Sequence, residues 1–323
     1  MKIIRLKISG GLGNQLFQAA FAYSVYKKYN NAVILIDKNW FLKGNSFEIE
    51  RYFLLDQFEV DNFLKYDLNL DFQYKIIFFI QDLFLSVKNL LTKFLRRFAI
   101  FKKFESNICI LLSLFGILTD TNRCYLNYKL SLSPAITISG YFQDIRYFDN
   151  LRSDILKIFK VKKAYIFNNN LNLINNSYKA NTSYLIRLGH DHLNNSKVLS
   201  VSFDPQNFLQ KSIKFFDDFN ISSNPLFFSD EHEKLSSYIN IEEKNVIKTN
   251  DPIIQLEIAK QSQYFVISNS SFAWWAYYLS HFSTKLVLRN DTWFSNYTNY
   301  SPGFSDSDFV VRISNKVNSG VAF

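Results

Sequence analysis

Hydrophobic and polar positions change period within the first residues of the chain. Ile3 to Ser9 alternates and is β-rich, which predicts a strand, and Gly10-Gly11-Leu12-Gly13 breaks it. From Asn14 the apolar positions Phe17, Ala20, Phe21 and Val25 recur at helical spacing, and Val33-Ile34-Leu35-Ile36 follows as a short, continuously apolar run. Strand, glycine turn, helix and buried strand make a βαβ unit, so the N-terminal part is predicted to be α/β with a parallel sheet. Ile136 to Ser139 predicts a further strand ending in Gly140-Tyr141-Phe142-Gln143. A helix through Tyr147, Leu151, Ile155 and Phe159 follows.

Residues 72–118 have a different texture. Phe, Ile and Leu dominate at helical spacing, and the charges are mostly Lys75, Lys88, Lys93, Arg96, Arg97, Lys102 and Lys103. The uncharged stretch from Ile108 to Leu118 falls short of the roughly 20 apolar residues that cross a bilayer. Two readings stand: a pair of helices packed on the domain core, or a basic amphipathic surface resting on anionic lipid.

Beyond a polar, Asn-rich stretch from Asn168 to Asn181 the alternation resumes. Strands are predicted at Tyr184 to Arg187, Leu226 to Phe228, Tyr264 to Ile267 and Lys285 to Leu288. Helices are predicted around Phe208 to Phe216, at Ile254 to Gln261 and from Phe272. This is the order of a second doubly wound domain, with a boundary near residue 160, giving domains 1–160 and 161–323.

Composition narrows the class. With 323 residues, 48% hydrophobic and 20% charged, the chain is long enough for two cores and too apolar for disorder. Its net charge of +9 favours anionic partners, whether nucleic acid, phosphorylated substrate or acidic membrane. The lysines are dispersed and no nucleic-acid motif occurs, which argues against nucleic acid. Two cysteines, Cys109 and Cys124, and a start that runs directly into a strand imply a reducing, cytoplasmic location.

The glycine turn sits at a strand-to-helix junction, where free backbone N–H groups and the helix dipole attract an anion. It is neither a dinucleotide fingerprint, because Leu16 holds the third glycine position, nor a phosphate loop of the Lys-Ser/Thr kind. A tight turn needing positive φ explains the glycines equally well. The amides of Asn14 and Gln15 beside Gly11 and Gly13 favour sugar or phosphate binding. Ser229-Asp230 follows a β-rich run and Asn269-Ser270-Ser271 follows another, both at strand ends where open α/β sheets bind ligands. Trp274 and Trp275 read as core, and Asp306-Ser307-Asp308 as a turn rather than a metal motif. His190-Asp191-His192 matches no established metal spacing.

Ile8-Ser9-Gly10-Gly11-Leu12-Gly13-Asn14-Gln15-Leu16-Phe17-Gln18 resembles the opening of the family 11 glycosyltransferases, the bacterial α-1,2-fucosyltransferases. Phe47-Glu48-Ile49 through Phe58, Gly140 to Phe148, Phe228 to Glu231, Asn269 to Trp275 and Lys285 to Phe294 resemble further blocks of that family in the same order. The resemblance implies a GT-B-like fold, two Rossmann-like doubly wound domains facing each other across a cleft, with acceptor on the first and GDP-sugar on the second. It also implies inverting transfer of a deoxyhexose, most simply fucose from GDP-fucose, to a glycan or lipid-linked oligosaccharide, with no metal and no cofactor. GDP-colitose is a related donor.

One block departs from the pattern. Where the family carries His-x-Arg-Arg-x-Asp, this chain has Leu185-Ile186-Arg187-Leu188-Gly189-His190-Asp191, so only Arg187 is in register. A guanidinium there stabilises charge developing on the leaving β-phosphate, and His190 or Asp191 is the candidate general base. By the same resemblance the donor contacts are Gly11, Gly13, Asn14, Gln15, Ser229, Asp230, Asn269, Ser270 and Ser271. Leu185 and Leu188 also admit a rival reading, a family member without catalysis that serves as a binding or scaffold subunit.

Overall fold

The computed structural model describes residues 1–42, 51–67, 69–95, 99–121, 125–129, 131–170, 180–189, 203–291, 293 and 301–314, with backbone alone at 95 and 99–103. The chain divides into two units, Met1–Lys160 and Val161–Phe323.

The first unit holds a five-stranded sheet built from β1 (Lys2–Lys7), β2 (Ala32–Asp37), β3 (Leu64–Lys65), β4 (Ile117–Thr119) and β5 (Ala135–Ser139). The order is β3-β2-β1-β5-β4 and every pairing is parallel. Its helices are α1 (Leu12–Tyr26), α2 (Asn39–Leu42), α3 (Phe72–Leu95), α4 (Ala99–Leu114) and α5 (Arg152–Ile158). The crossovers β1→β2 and β3→β4 run in opposite directions across the sheet, so their right-handedness places α1 and the α3–α4 hairpin on opposite faces. Phe78 of α3 packs on Ile3 and Ala135.

The second unit begins with α6 (Lys163–Asn168) and carries β6 (Thr182–Leu185), α7 (Pro205–Asp218), β7 (Pro225–Phe228), α8 (Pro252–Ala259), β8 (Tyr264–Ile267), α9 (Ser271–Tyr278), β9 (Leu286–Asn290) and β10 (Phe309–Ile313). Its sheet, β10-β9-β8-β6-β7, is again wholly parallel. The α/β class and the two doubly wound sheets expected from the sequence are therefore present. Two helices start earlier than periodicity alone predicts, each at an Asp-Pro pair. Asp204 accepts the N–H of Asn207, Asp251 accepts those of Ile253 and Ile254, and Pro205 and Pro252 fill the first helical positions.

Three expectations change. The segment 72–118 is not helical to its end: Gly116, at φ +77°, stops the chain after α4 and turns it into β4, which pairs with β5. The helix expected through Tyr147 is two 3₁₀ turns, Ile145–Tyr147 and Asp149–Leu151, before α5, because Phe148 takes a non-helical φ of −148°. Strands β3 and β10 have no counterpart in the sequence reading. Among the described residues no helix is long and apolar enough to cross a membrane.

Candidate active site

In each unit the described candidate residues gather at the C-terminal edge of the sheet, beside the point where strand order reverses. That point lies between β1 and β5 in the first unit and between β6 and β8 in the second. In open α/β sheets ligands bind at such a point, where successive loops diverge.

In the first unit Gly10 adopts φ +82°, and a Cβ on it would stand 2.7 Å from Asn14 Nδ2, so glycine is required. Gly11 is the N-cap of α1 and supplies no side-chain cap to the first-turn amides. Arg51 lies over Gly11, its guanidinium 3.4 Å from where a Cβ would be. Asn14 Oδ1 accepts from Gln143 Nε2 at 2.8 Å, which joins the β1 turn to the loop after β5.

That second loop is held by Asp120. Its Oδ2 accepts the N–H groups of Tyr141 and Phe142 at 2.9 and 2.6 Å, and a Cβ on Gly140 would stand 2.5 Å from its Oδ1. Burial pushes the Asp120 carboxyl up to about 6, against the downward pull of the Phe142 and Tyr141 amides and of Lys88. Phe142 sits at φ +50°, an uncommon conformation for an aromatic residue, and is stacked on Phe21 at 3.9 Å between centroids. Packing and the Asp120 bond together hold this backbone and thereby aim Gln143 at Asn14.

Two expected donor contacts have another role. Gln15 is fully buried: its Nε2 donates to the carbonyls of Gly10 and Tyr52 at 3.0 and 2.7 Å, and its Oε1 accepts the Leu54 N–H at 2.9 Å. It fastens the Tyr52–Leu54 loop, and with it the chain around Arg51, to the glycine turn. Gly13 lies buried in the first turn of α1. The Phe47-Glu48-Ile49 block lies outside the described residues.

In the second unit Arg187 follows β6 directly. Its N–H donates to Ser268 Oγ at 2.9 Å, and its Nε lies 3.7 Å from Asp230 Oδ2. Asp230 Oδ1 accepts the N–H groups of Leu188 and Gly189 at 2.8 and 3.1 Å. The side chains of Ile186 and Leu188 belong to the hydrophobic core of this unit, so alternation along the backbone turns Arg187 away from it. The leucine in place of a second arginine thus fills core volume, and one guanidinium remains at the edge. Ser229 Oγ accepts the Glu231 N–H at 3.1 Å, turning the chain after β7.

Asn269 is held on both sides, donating to Trp293 O at 3.1 Å and accepting from Asn290 Nδ2 at 2.8 Å. Ser270 caps α9 by accepting the Ala273 N–H, and Ser271 opens the helix. Trp274 and Trp275 are fully buried, as expected. Asp308 is more than part of a turn: it accepts from Tyr277 Oη at 2.7 Å and from the Lys285 N–H at 2.9 Å. His190, Asp191 and His192 lie outside the described residues.

Sequence reasoning passed over Arg51 and Asp120 and gave Gln143, quoted within a family block, no role at the site; the contacts of all three span long stretches of chain. It also passed over Arg289, one residue before the end of β9, which is 5% exposed. Burial lowers its pKa to about 10, helped by the like charge of Arg312 and opposed by Asp291. A buried cation beside the Asn269–Asn290 link is a second positive group at the edge that carries Arg187.

The chain is similar to known proteins along most of its length. The chain is 26% identical to the O-antigen biosynthesis glycosyltransferase WbnK of Escherichia coli, over 89% of this chain and 94% of that protein. It is 24% identical to an alpha-1,2-colitosyltransferase of Escherichia coli, over 91% and 93%. Among solved structures, NodZ alpha-1,6-fucosyltransferase co-crystallised with GDP is 10% identical with a TM-score of 0.48, over 85% of this chain and 91% of that one. The sequence profile of Glycosyl transferase family 11 matches residues 3–303, from β1 to the loop before β10, so that both groups of edge residues fall within it and the chain belongs to that family.

Proposed function

We propose that this chain is an inverting transferase that moves L-fucose from GDP-fucose to the 2-hydroxyl of a galactoside, in a cell-surface glycan or its lipid-linked precursor. The observation that carries the reading is the placement of Arg187. Its backbone is pinned by Ser268 and its loop by Asp230 at the reversal point of the second sheet. In a single displacement the acceptor oxygen attacks the anomeric carbon, the bond to the β-phosphate oxygen breaks, and GDP leaves with the electron pair. A fixed guanidinium stabilises that charge without reorganising. The acceptor proton passes to a base, His190 or Asp191 by position in the sequence. Gly11, Asn14, Ser229, Asp230, Asn269, Ser270 and Ser271 are the remaining donor-side candidates. No divalent metal and no cofactor take part, and the reaction runs in the cytoplasm.

A second reading, transfer of another GDP-deoxyhexose, draws on the alpha-1,2-colitosyltransferase among the relatives. A third reading, a family member without catalysis that serves as a binding or scaffold subunit, rests on Leu185 and Leu188 standing where the family carries a histidine and a second arginine. The deciding experiment is a donor screen with GDP-fucose, GDP-colitose, GDP-mannose and UDP-galactose, reading nucleotide release with and without β-galactosides. Release from GDP-fucose that rises with acceptor supports the proposal. Preference for GDP-colitose selects the second reading, and release from no donor selects the third.

A further inference from the structure

Helices α3 and α4 carry their polarity inside out. The buried stripe of α3 is Phe78, Gln81, Leu85, Lys88 and Thr92, at spacings of three and four, and three of these five side chains are polar. Gln81 donates to the carbonyls of Phe115, Gly116 and Ala135 and accepts from Thr137 Oγ1. Lys88 reaches Thr119 and Asp120 O, and Asp82 bonds Arg5 and Lys7. In α4, Glu105 and Ser113 are likewise buried. The outer face is apolar: Phe72, Leu90 and Phe94 are 69% to 77% exposed, and Phe79, Leu83 and Leu111 more than half exposed. A contiguous apolar face of this kind marks a surface that something covers.

Charge selects what covers it. Residues 72–115 contain seven cations and two acids; Lys88 and Glu105 are buried, and Asp82, with a side chain 39% exposed, is engaged by Arg5 and Lys7. Lys75 and Lys93 are exposed. Arg96 and Arg97 lie outside the described residues, as do the side chains of Lys102 and Lys103. A second copy of the same face would bring Lys75 and Lys93 against like charges, while the partly exposed acid, Asp82, is already ion-paired with Arg5 and Lys7. An anionic bilayer supplies hydrocarbon for the phenylalanines and leucines and phosphate for Lys75 and Lys93. With 24 residues, α3 is about 36 Å long, and no described helix is apolar enough to span. Such a helix lies in the interface plane.

We infer that the outer face of the α3–α4 hairpin is a membrane-docking surface that seats the first unit on anionic phospholipid, apolar side chains in the acyl boundary and cations at the headgroups. The inference does not depend on which sugar is transferred.

Flotation of the full chain with phosphatidylcholine vesicles, and with vesicles also containing phosphatidylglycerol, tests it. The wild-type chain floats with the anionic vesicles, and high salt weakens the association. Replacing Lys75 and Lys93 by Gln lowers partition by about fivefold per cation. Leu83→Ser with Leu90→Ser lowers it at any salt, and turnover on a soluble acceptor is unchanged in both variants. Phe94→Trp, a single exposed change, adds fluorescence that brominated lipid quenches. A wild-type chain that ignores anionic vesicles, equal binding to neutral vesicles, or a Phe94→Trp protein with no added quenching overturns the inference. So does a stable dimer that the leucine changes dissociate, since the face would then belong to a second copy.

Discussion

Asp230 accepts the backbone N–H of Leu188 at 2.8 Å, so the loop after β7 sets the position of the residue beside Arg187. The acid also stands 3.7 Å from Arg187 Nε, so it acts on that residue through the loop and through the ion pair. Arg187→Ala is expected to lower kcat by about 100- to 1000-fold, the usual loss when one fixed donor to a developing anion is removed. The melting temperature should hardly move, because the side chain stands at the edge of the sheet. Arg187→Lys recovers part of the rate, since a point charge replaces a planar fork. Asp230→Ala lowers the rate by releasing the loop, whereas Asp230→Asn, which keeps an acceptor oxygen, restores most of it. A folded Arg187→Ala protein with near-normal turnover would remove Arg187 from the chemistry.

Gln15 separates stability from donor binding. Loss of its three buried hydrogen bonds in Gln15→Ala should cost on the order of 2–4 kcal/mol and lower the first thermal transition by roughly 10 °C. Gln15→Glu keeps the volume but sets a carboxylate against the carbonyls of Gly10 and Tyr52, and should be at least as damaging. Unchanged melting with a raised KM for the donor would show that the side chain faces the substrate instead.

Asp120 makes the stability of the first unit depend on pH. Burial raises its pKa from 3.8 to about 6, so between those values the folded chain retains a proton that the unfolded chain has released. The native state therefore loses stability as pH rises through this window, by roughly 2–3 kcal/mol in all, and the cost is complete above pH 6. Asp120→Asn removes the titration. Denaturant melts of variant and wild type from pH 4 to 8 should show a difference that grows in the variant's favour up to about pH 6 and then stays level. A difference that is flat throughout would mean that Asp120 is ionised across the range.

Transfer should survive EDTA with little loss, because a guanidinium already answers the charge that a divalent cation would neutralise. Turnover abolished by chelation and restored by manganese would contradict this assignment.

Local signals were legible and distant ones were not. The β1 turn, α1 and the β8–Ser270–α9 junction follow from period changes and turn residues lying within a few positions of one another. The starts of α7 and α8 are equally local, since Asp204-Pro205 and Asp251-Pro252 spell them out, although apolar periodicity alone passes over them. Strand β3 is two residues long, too short for any period, and β10 stands behind a Ser-rich approach. At the site, Arg187 was found by its register. The clamp of Asp120 on Tyr141, the Gln143–Asn14 bond and the approach of Arg51 to Gly11 join residues 21, 129 and 40 positions apart, and no local pattern marks them. The two side chains of Gln15 and Asn14 looked alike in sequence, yet helical geometry turns one inward to the Tyr52 loop and the other toward Gln143.

The grip of Gln81 on the carbonyls of Phe115, Gly116 and Ala135 decides whether the hairpin is an appendage. An insert resting on an apolar patch can be trimmed and its scar repaired with a few polar substitutions. Here excision of residues 72–115 would remove Asp82 from Arg5 and Lys7, and Gln81 from Thr137 and the carbonyl of Ala135, on a sheet face never meant to meet water. Attempts to obtain a better-behaved enzyme by deleting the greasy helices should therefore yield an unfolded first unit. Mild detergent, or serines on the outer face alone, is the workable route to material for crystallisation.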